Sequence, residues 1–129
     1  MASAPSFAST PRVAGASVAT NTARDGTGAI TTVLSAGSSG TKINEVVVKS
    51  TGQPADSVVT LFLFDGTSYY LFDEIDLGAP TAGSTTAAAY RTSVRYDNVV
   101  IPNGWSLRAA VTVAATSGAV LVIALAGDL

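Results

Sequence analysis

Val58 to Leu77, VVTLFLFDGTSYYLFDEIDL, is the stretch of sequence that decides the fold of this chain. Two apolar runs of strand length meet there at Asp65-Gly66, a dipeptide typical of the turn between antiparallel strands. The stretch therefore predicts a β-hairpin. Its first run, Val58 to Phe64, is apolar at nearly every position and does not alternate as a strand with one solvated face would. We expect both faces of that strand to be covered.

The hairpin register divides the side chains of the two strands between two faces of the sheet. The first face, expected to be the core face, holds Val58, Thr60, Phe62 and Phe64 with Tyr69, Leu71, Asp73 and Ile75. The second face holds Val59, Leu61 and Leu63 with Tyr70, Phe72 and Glu74. Its large apolar groups need a cover, either from elsewhere in this chain or from a second chain. A bulge would shift this division.

The rest of the chain continues in short segments of β type, each ended by Gly, Asn, Asp or Pro. We predict strands over residues 16–21, 29–36, 41–50, 57–64, 69–77, 89–101, 106–114 and 119–126. A bulge is expected near Glu45 and a bend near Asp97-Asn98. The last strand is apolar on both faces, so it is expected at a central position or at a subunit contact. About eight such strands predict an all-β antiparallel sandwich or barrel over residues 13–129.

Residues 1–12 are predicted to form an extended N-terminal arm. Their Ala, Ser and Pro content cannot bury enough apolar surface to order the segment by itself. Phe7 is the large apolar side chain of this arm. An arm that docks would be anchored by Phe7, and the alternative is a disordered tail.

Composition narrows the classes of function. The 129 residues include no Cys and no His, which removes thiol chemistry, Cys-ligated zinc and the commonest general base near neutral pH. We therefore expect no enzyme and no cofactor. The net charge is −2 and the basic residues are dispersed, which argues against nucleic acid. The longest apolar run, residues 119–126, is shorter than the roughly 20 residues of a membrane-spanning helix, so no membrane partner is expected.

Charged residues are scarce. They make up 12% of the chain, against roughly 25% in an average globular domain. A surface with so little charge is expected when much of it is buried in an oligomer or a larger assembly. The alternative is a neutral surface of Ser, Thr, Gly and Ala, which this sequence also supports.

The other candidate motifs favour structural roles. Asp73, Glu74 and Asp76 form a carboxylate cluster, but neighbouring side chains on a strand point to opposite faces and no calcium-binding loop surrounds them. We expect them to form salt bridges rather than a metal site. Trp105, the single Trp, follows Pro102-Asn103-Gly104 and is expected to cover a turn or fill the core rather than to bind a sugar.

Several turn motifs together resemble those of a known family. They are ARDGTG at residues 23–28, GTKI at 40–43, LFDGT at 63–67 and IPNGWSLR at 101–108, preceded by the Ser- and Ala-rich arm. With the alternating strands between them, they resemble small structural proteins of tailed-phage particles, in particular jelly-roll head decoration (cement) proteins. The resemblance covers roughly residues 12–129.

The resemblance implies a jelly-roll virion protein on the outer capsid surface. It implies a homo-oligomer, a trimer or a similar assembly, whose partner is the major capsid protein, with no catalytic residues to carry over. We expect the contacts to use the arm at Phe7 and the second face of the hairpin, with Val59, Leu61, Leu63, Tyr70 and Phe72. The same topology occurs in phage tail, fibre and receptor-binding domains and in carbohydrate-binding modules, which stay as alternatives.

Overall fold

The computed structural model describes residues 10–78 and 82–129, and the described residues form two four-stranded sheets. The strands are β1 (Thr10–Ser17), β2 (Thr31–Ser35), β3 (Thr41–Ser50), β4 (Val58–Phe64), β5 (Tyr69–Asp76), β6 (Arg91–Ile101), β7 (Ser106–Val111) and β8 (Val120–Asp128). One sheet has the order β1-β8-β3-β6 and the other the order β2-β7-β4-β5. The predicted all-β antiparallel sandwich is confirmed.

The strand order is that of a jelly roll. β1 pairs with β8, β2 with β7, β3 with β6, and β4 with β5, all antiparallel. Nested pairing of this kind arises when one long antiparallel ribbon is rolled into two packed sheets. The β4–β5 hairpin is the closed end of that ribbon, so the Asp65-Gly66 turn lies where the sequence predicts it. Gly66 has a φ of 101°, a conformation that favours glycine.

The predicted irregularities in β3 and β6 lie opposite one another. The register of β3 shifts between Ile43 and Glu45 against both of its neighbours. On the facing strand, three residues from Tyr96 to Asn98 span the same interval, and Asn98 has a φ of 58°. Asn tolerates this left-handed conformation better than most residues. The bulge near Glu45 and the bend near Asp97-Asn98 are therefore one feature of the sheet.

The first strand differs from its prediction. β1 occupies Thr10–Ser17 rather than residues 16–21, so residues 10–12, predicted to belong to the arm, pair with the end of β8. Pro11 is accommodated because β1 lies at the edge of the sheet, where a missing backbone N–H need not break a ladder. Phe7 and the rest of residues 1–9 lie outside the described residues.

The two faces of β4 are the reverse of the prediction. Val59 and Leu61 are fully buried in the core between the sheets, and Thr60 and Phe62 point away from it. β7 decides this orientation, because Leu107, Ala109 and Val111 face the core, and β4 is registered so that its own odd-numbered residues lie beside them. The cover for Val59 and Leu61 is thus the other sheet of the same chain.

A bulge in β5 alters the rest of the hairpin partition. Phe62 pairs with Leu71 and Leu61 pairs with Asp73, so Phe72 is an extra residue between them. After Phe72, the side chains of β5 alternate in the opposite sense. Ile75 therefore belongs to the core, although the sequence predicted it on the same face as Phe62. Asp73, predicted beside Phe62, lies across from Leu61 instead.

The side of β4 that points away from the core is also covered by this chain. Residues 19–29 start beside Val111, where Asn21 donates from its N–H to the Val111 carbonyl at 2.8 Å, and extend to β5. There Arg24 pairs with Glu74 and Gly26 lies against Tyr69. Phe62, which lies on this side of β4 between the two ends of the segment, is fully buried. Both faces of β4 therefore have the cover that its apolar sequence requires.

Candidate functional site

The predicted interface residues have different positions in the fold. Val59 and Leu61 are unavailable to a partner because they are buried between the sheets. Leu63 and Phe72 are half-buried and pack against the same core. Tyr70, with 51% of its surface exposed, is the member of the described set that solvent reaches most. The predicted surface is thus reduced to the neighbourhood of Tyr70.

Tyr70 and Trp105 form an aromatic pair beside the hairpin turn. Their rings stack with centroids 5.9 Å apart and an interplanar angle of 16°. Trp105 packs against the core, and its carbonyl accepts a hydrogen bond of 3.0 Å from the N–H of Ala36. Trp105 therefore covers the end of the sandwich, as predicted, while Tyr70 covers Trp105. Leu71, 41% exposed, follows Tyr70 on the opposite face of β5.

The carboxylates of β5 each have a partner within the chain. The Tyr96 hydroxyl donates to Asp73 Oδ2 at 2.6 Å, Arg24 Nε lies 2.5 Å from Glu74 Oε2, and Asp76 accepts from the N–H of Gly78. Burial, together with the bond to Asp73, raises the pKa of Tyr96. Among residues 10–78 and 82–129, no cluster of acidic side chains is arranged to hold a metal ion.

A larger exposed surface lies on the other sheet. We call the solvent-facing side of the β1-β8-β3-β6 sheet the outward face. The opposite side of β8, with Val120, Val122 and Ala124, belongs to the core. On one side of the β3 bulge, three rows of side chains cross the outward face: Val13, Leu125, Glu45 and Arg95; Gly15, Ile123, Val47 and Ser93; and Ser17, Leu121, Lys49 and Arg91. A fourth row, on the other side of the bulge, holds Pro11, Gly127, Lys42 and Val100.

The outward face is apolar over the β1–β8 half and charged over the β3–β6 half. Leu121, Ile123 and Leu125 are half-buried on β8, and Val13 beside them is 71% exposed. This agrees with the prediction that the last strand is central or lies at a subunit contact: β8 is central in the sheet, between β1 and β3. The sequence showed that both faces of β8 are apolar. The assignment of one of its faces to solvent depended on the topology.

The charged half of the outward face contains an ion pair and a hydrogen bond from a Lys side chain to the backbone. Arg95 Nε lies 4.0 Å from Glu45 Oε1, and the Arg95 side chain is mostly in solvent. Lys49 Nζ donates to the Ala89 carbonyl at 3.0 Å. A depression of about 350 Å³ next to the β3 bulge is lined by Asn44, Glu45, Arg95, Tyr96, Asp97 and Leu125. The Arg95 side chain is 88% exposed and that of Glu45 only 19%, so the Arg95 side of the pair is the one that solvent or a partner reaches.

One end of the same sheet is held by a polar network. Arg12 Nη1 lies 3.0 Å from Asp128 Oδ1, and the buried Thr41 hydroxyl donates to the same carboxylate at 2.7 Å. The bond from Thr41 and the charge of Arg12 lower the pKa of Asp128. Three strands, β1, β3 and β8, are joined at this point. The network fixes the edge strand that borders the outward face.

Comparison of the chain with protein-family models, with curated proteins and with solved structures found no match. In the described part of the chain, no helix is long and apolar enough to cross a membrane.

Proposed function

We propose that this chain is a structural protein of a tailed-phage particle, a decoration (cement) protein that binds the outer surface of the assembled capsid as an oligomer and stabilises it. Its partners are the major capsid protein and further copies of itself, for which the sequence resemblance implies a trimer. It is not an enzyme and uses no cofactor.

The observation that carries this proposal is the outward face, an apolar sheet surface on a domain with few charges. A row of half-buried Leu and Ile beside an exposed Val is a surface that gains free energy when a partner removes it from water. The jelly-roll topology supports the resemblance carried by the turn motifs. Tyr70 and Leu71 at the hairpin end, with the arm at Phe7, supply further apolar contacts for the capsid.

The mechanism of stabilisation is mass action. A protein that binds the assembled lattice and not its separated subunits stabilises the lattice by about 2.7 kcal/mol when its free concentration is a hundred times its dissociation constant. An oligomer that contacts several capsid subunits at once binds more tightly than one copy, because each later contact is intramolecular.

The test is co-sedimentation with capsids assembled from the major capsid protein of the phage that encodes this chain. We expect the purified protein to pellet with the capsids and to raise their disruption temperature progressively with its concentration. Tyr70→Ala should weaken binding while leaving the fold intact. Capsids that neither bind the protein nor gain thermal stability would contradict the proposal.

The Tyr70–Trp105 pair favours a second candidate, a receptor-binding or carbohydrate-binding module. A sugar ring can lie on an exposed aromatic face, and Tyr70 offers one. A glycan array probed with the wild-type chain and with Tyr70→Ala distinguishes the two candidates. Binding of a defined glycan that is lost with Tyr70→Ala, without capsid binding, would favour this second function.

A further inference from the structure

We propose that the outward face of the β1-β8-β3-β6 sheet binds a second copy of this chain, face to face about a two-fold axis along the row of Ile123 and Val47. This inference rests on the self-association part of the proposed function and not on its capsid part, and it replaces the trimer implied by the resemblance with a two-fold dimer. It assigns the surface, the occupant and the symmetry of the contact.

The middle row of the outward face suits a two-fold axis. It holds Gly15, Ile123, Val47 and Ser93, none of which is charged. In an isologous contact, residues on the axis meet their own copies, so a charged residue there would face an identical charge. Ile123, which is half-buried, instead meets its own apolar copy, and Gly15 allows close approach at the edge strand. Val47 is only 7% exposed in the single chain, so it supports Ile123 from beneath rather than adding much new contact.

The rows on either side of the axis are complementary to each other. A two-fold rotation about the middle row places each strand over the same strand of the second copy, running in the opposite direction. The row of Leu125 and Glu45 then lies over the second copy's row of Leu121 and Lys49. Leu then meets Leu, and carboxylate meets ammonium. The pairing occurs twice by symmetry.

The remaining charges of the face fall at its rim. Lys42, in the row beyond the β3 bulge, lies past the ends of the second copy's β3 and β8. Arg95 lies over the second copy's Arg91, on the β6 edge, where both side chains are exposed. Water and salt screen like charges there. Rotation about an axis parallel to the strands would instead place β3 over the second copy's β8 and β6 over its β1. The charged residues of β3 and β6 would then face strands that have no charged outward residues. Charge complementarity therefore selects the axis across the strands.

The area of the face indicates what kind of dimer to expect. Four strands about 4.8 Å apart and about eight residues long, at roughly 3.3 Å per residue, give a face of about 500 Å². Two copies would cover about 1,000 Å² in total, just below the range of about 1,200 to 2,000 Å² for stable specific interfaces. We therefore expect a reversible dimer that forms in the micromolar range rather than an obligate one.

The decisive experiment is a charge swap followed by sedimentation velocity, from micromolar to millimolar concentration of the full chain. Glu45→Lys sets two ammonium groups against each other at both symmetry-related contacts, and Lys49→Glu does the same with two carboxylates. Each single variant should raise the dimer dissociation constant about tenfold or more, because opposed like charges are strongly unfavourable at an interface. The double variant Glu45→Lys/Lys49→Glu should restore the wild-type value to within about threefold.

Two further variants serve as controls for the charge-swap experiment. Ile123→Lys places a charge on the axis and should abolish the dimer. Leu71→Lys places the same charge on the outer face of the other sheet and should leave the dimer unchanged. Far-UV circular dichroism and thermal unfolding check that each chain is folded. Each single variant also loses one contact within the chain, Glu45→Lys the 4.0 Å pair with Arg95 and Lys49→Glu the bond to the Ala89 carbonyl, so recovery in the double variant is the decisive reading.

Several outcomes would overturn the inference. They are a wild-type chain that stays monomeric over the whole range, a trimer that the swap does not affect, and a double variant as weak as the single ones. A chain that dimerises only after deletion of residues 2–9 would identify the arm as the occupant of the face. Monomers whose capsid binding is lost with Ile123→Lys would identify the capsid as the occupant, and would leave the proposed function intact.

Discussion

At the scale of single residues, Asp128 shows how distant positions are joined. Its carboxylate accepts from Thr41 and pairs with Arg12, residues 87 and 116 positions away along the chain. Thr41 also accepts a 2.8 Å hydrogen bond from the N–H of Gly37, so it connects the β2–β3 loop to the same site. None of these contacts could be read from local sequence, because each depends on which strands become neighbours.

The lowered pKa of Asp128 predicts a pH-dependent contribution to stability. A carboxyl whose folded pKa lies below its ordinary value of 3.8 stabilises the fold above that pH, and the stabilisation is lost as the pH falls through the folded value. Asp128→Asn should therefore be less stable than wild type at neutral pH, and the difference should shrink below pH 3.8. Urea unfolding over this range measures it. The control is Asp97→Asn, which removes an exposed carboxylate outside this network.

Gly26 is a residue where both backbone conformation and space require glycine. Its φ is 90°, and a Cβ built there would lie 2.6 Å from the Cβ of Tyr69. Gly26→Ala should lower the free energy of unfolding by about 2 to 4 kcal/mol, from a strained φ and displacement of the crossing loop. Gly104→Ala is the matched control, since its φ is similar but no atom lies within 4 Å of the added group. Equal losses from the two substitutions would contradict the crossing path of residues 19–29.

At the scale of secondary-structure elements, the hairpin was predictable and the direction of its faces was not. The apolar run from Val58 to Phe64 shows only that both faces need cover. The choice of core face is made by β7, whose alternation of Leu107, Arg108 and Ala109 is clear in the sequence. Using it requires the knowledge that β4 pairs with β7, a contact between segments far apart in the chain.

Core placement of Leu61 predicts the effect of truncating it. Leu61→Ala should lower the free energy of unfolding by about 2 to 5 kcal/mol, because it leaves a cavity between the sheets. Leu71→Ala, on the exposed side of the same hairpin, should change it by about 0.5 kcal/mol or less. Chemical denaturation of both variants measures the contrast. If Leu61 were an intermolecular contact, its truncation would weaken association and leave monomer stability unchanged.

The first strand was missed for reasons that lie in its composition. Residues 10–17 contain two small Ala, a Gly and a Pro, and Val13 is their single large apolar side chain, so the segment has little of the β-branched and aromatic content that marks most strands. Their strand conformation comes from pairing with β8, whose neighbouring edge offers unpaired backbone groups. Strands such as β3, with its bulge, were predictable because their own side chains alternate.

At the scale of the whole molecule, β1 begins at Thr10, inside the predicted arm, and this decides which deletion tests the arm. Removal of residues 2–12 deletes Arg12 and three positions of β1 together with the arm, so it confounds stability with binding. We expect this deletion to lower the midpoint of thermal unfolding below that of a chain lacking residues 2–9. Differential scanning calorimetry compares the two. Equal midpoints would show that pairing of residues 10–12 contributes nothing to stability.

The folded structure also shows which part of the surface lacks charge. Composition indicates only that some surface is suited to assembly. In the folded chain the β1–β8 half of the outward face carries no charged side chain, and the charges of the other half are arranged in complementary rows. The hairpin face predicted for this role is instead mostly core.

The sequence by itself determined the all-β class, the hairpin, the positions of most turns and bulges, and the chemistry that is excluded by the lack of Cys and His. These features depend on local alternation and turn residues, which act within a few positions along the chain. Only the tertiary structure decided which face of β4 is buried, which side of β8 meets solvent, and how Arg12, Thr41 and Asp128 come together. The physical reason is that each strand has two faces of similar character, and only pairing with a distant strand distinguishes them.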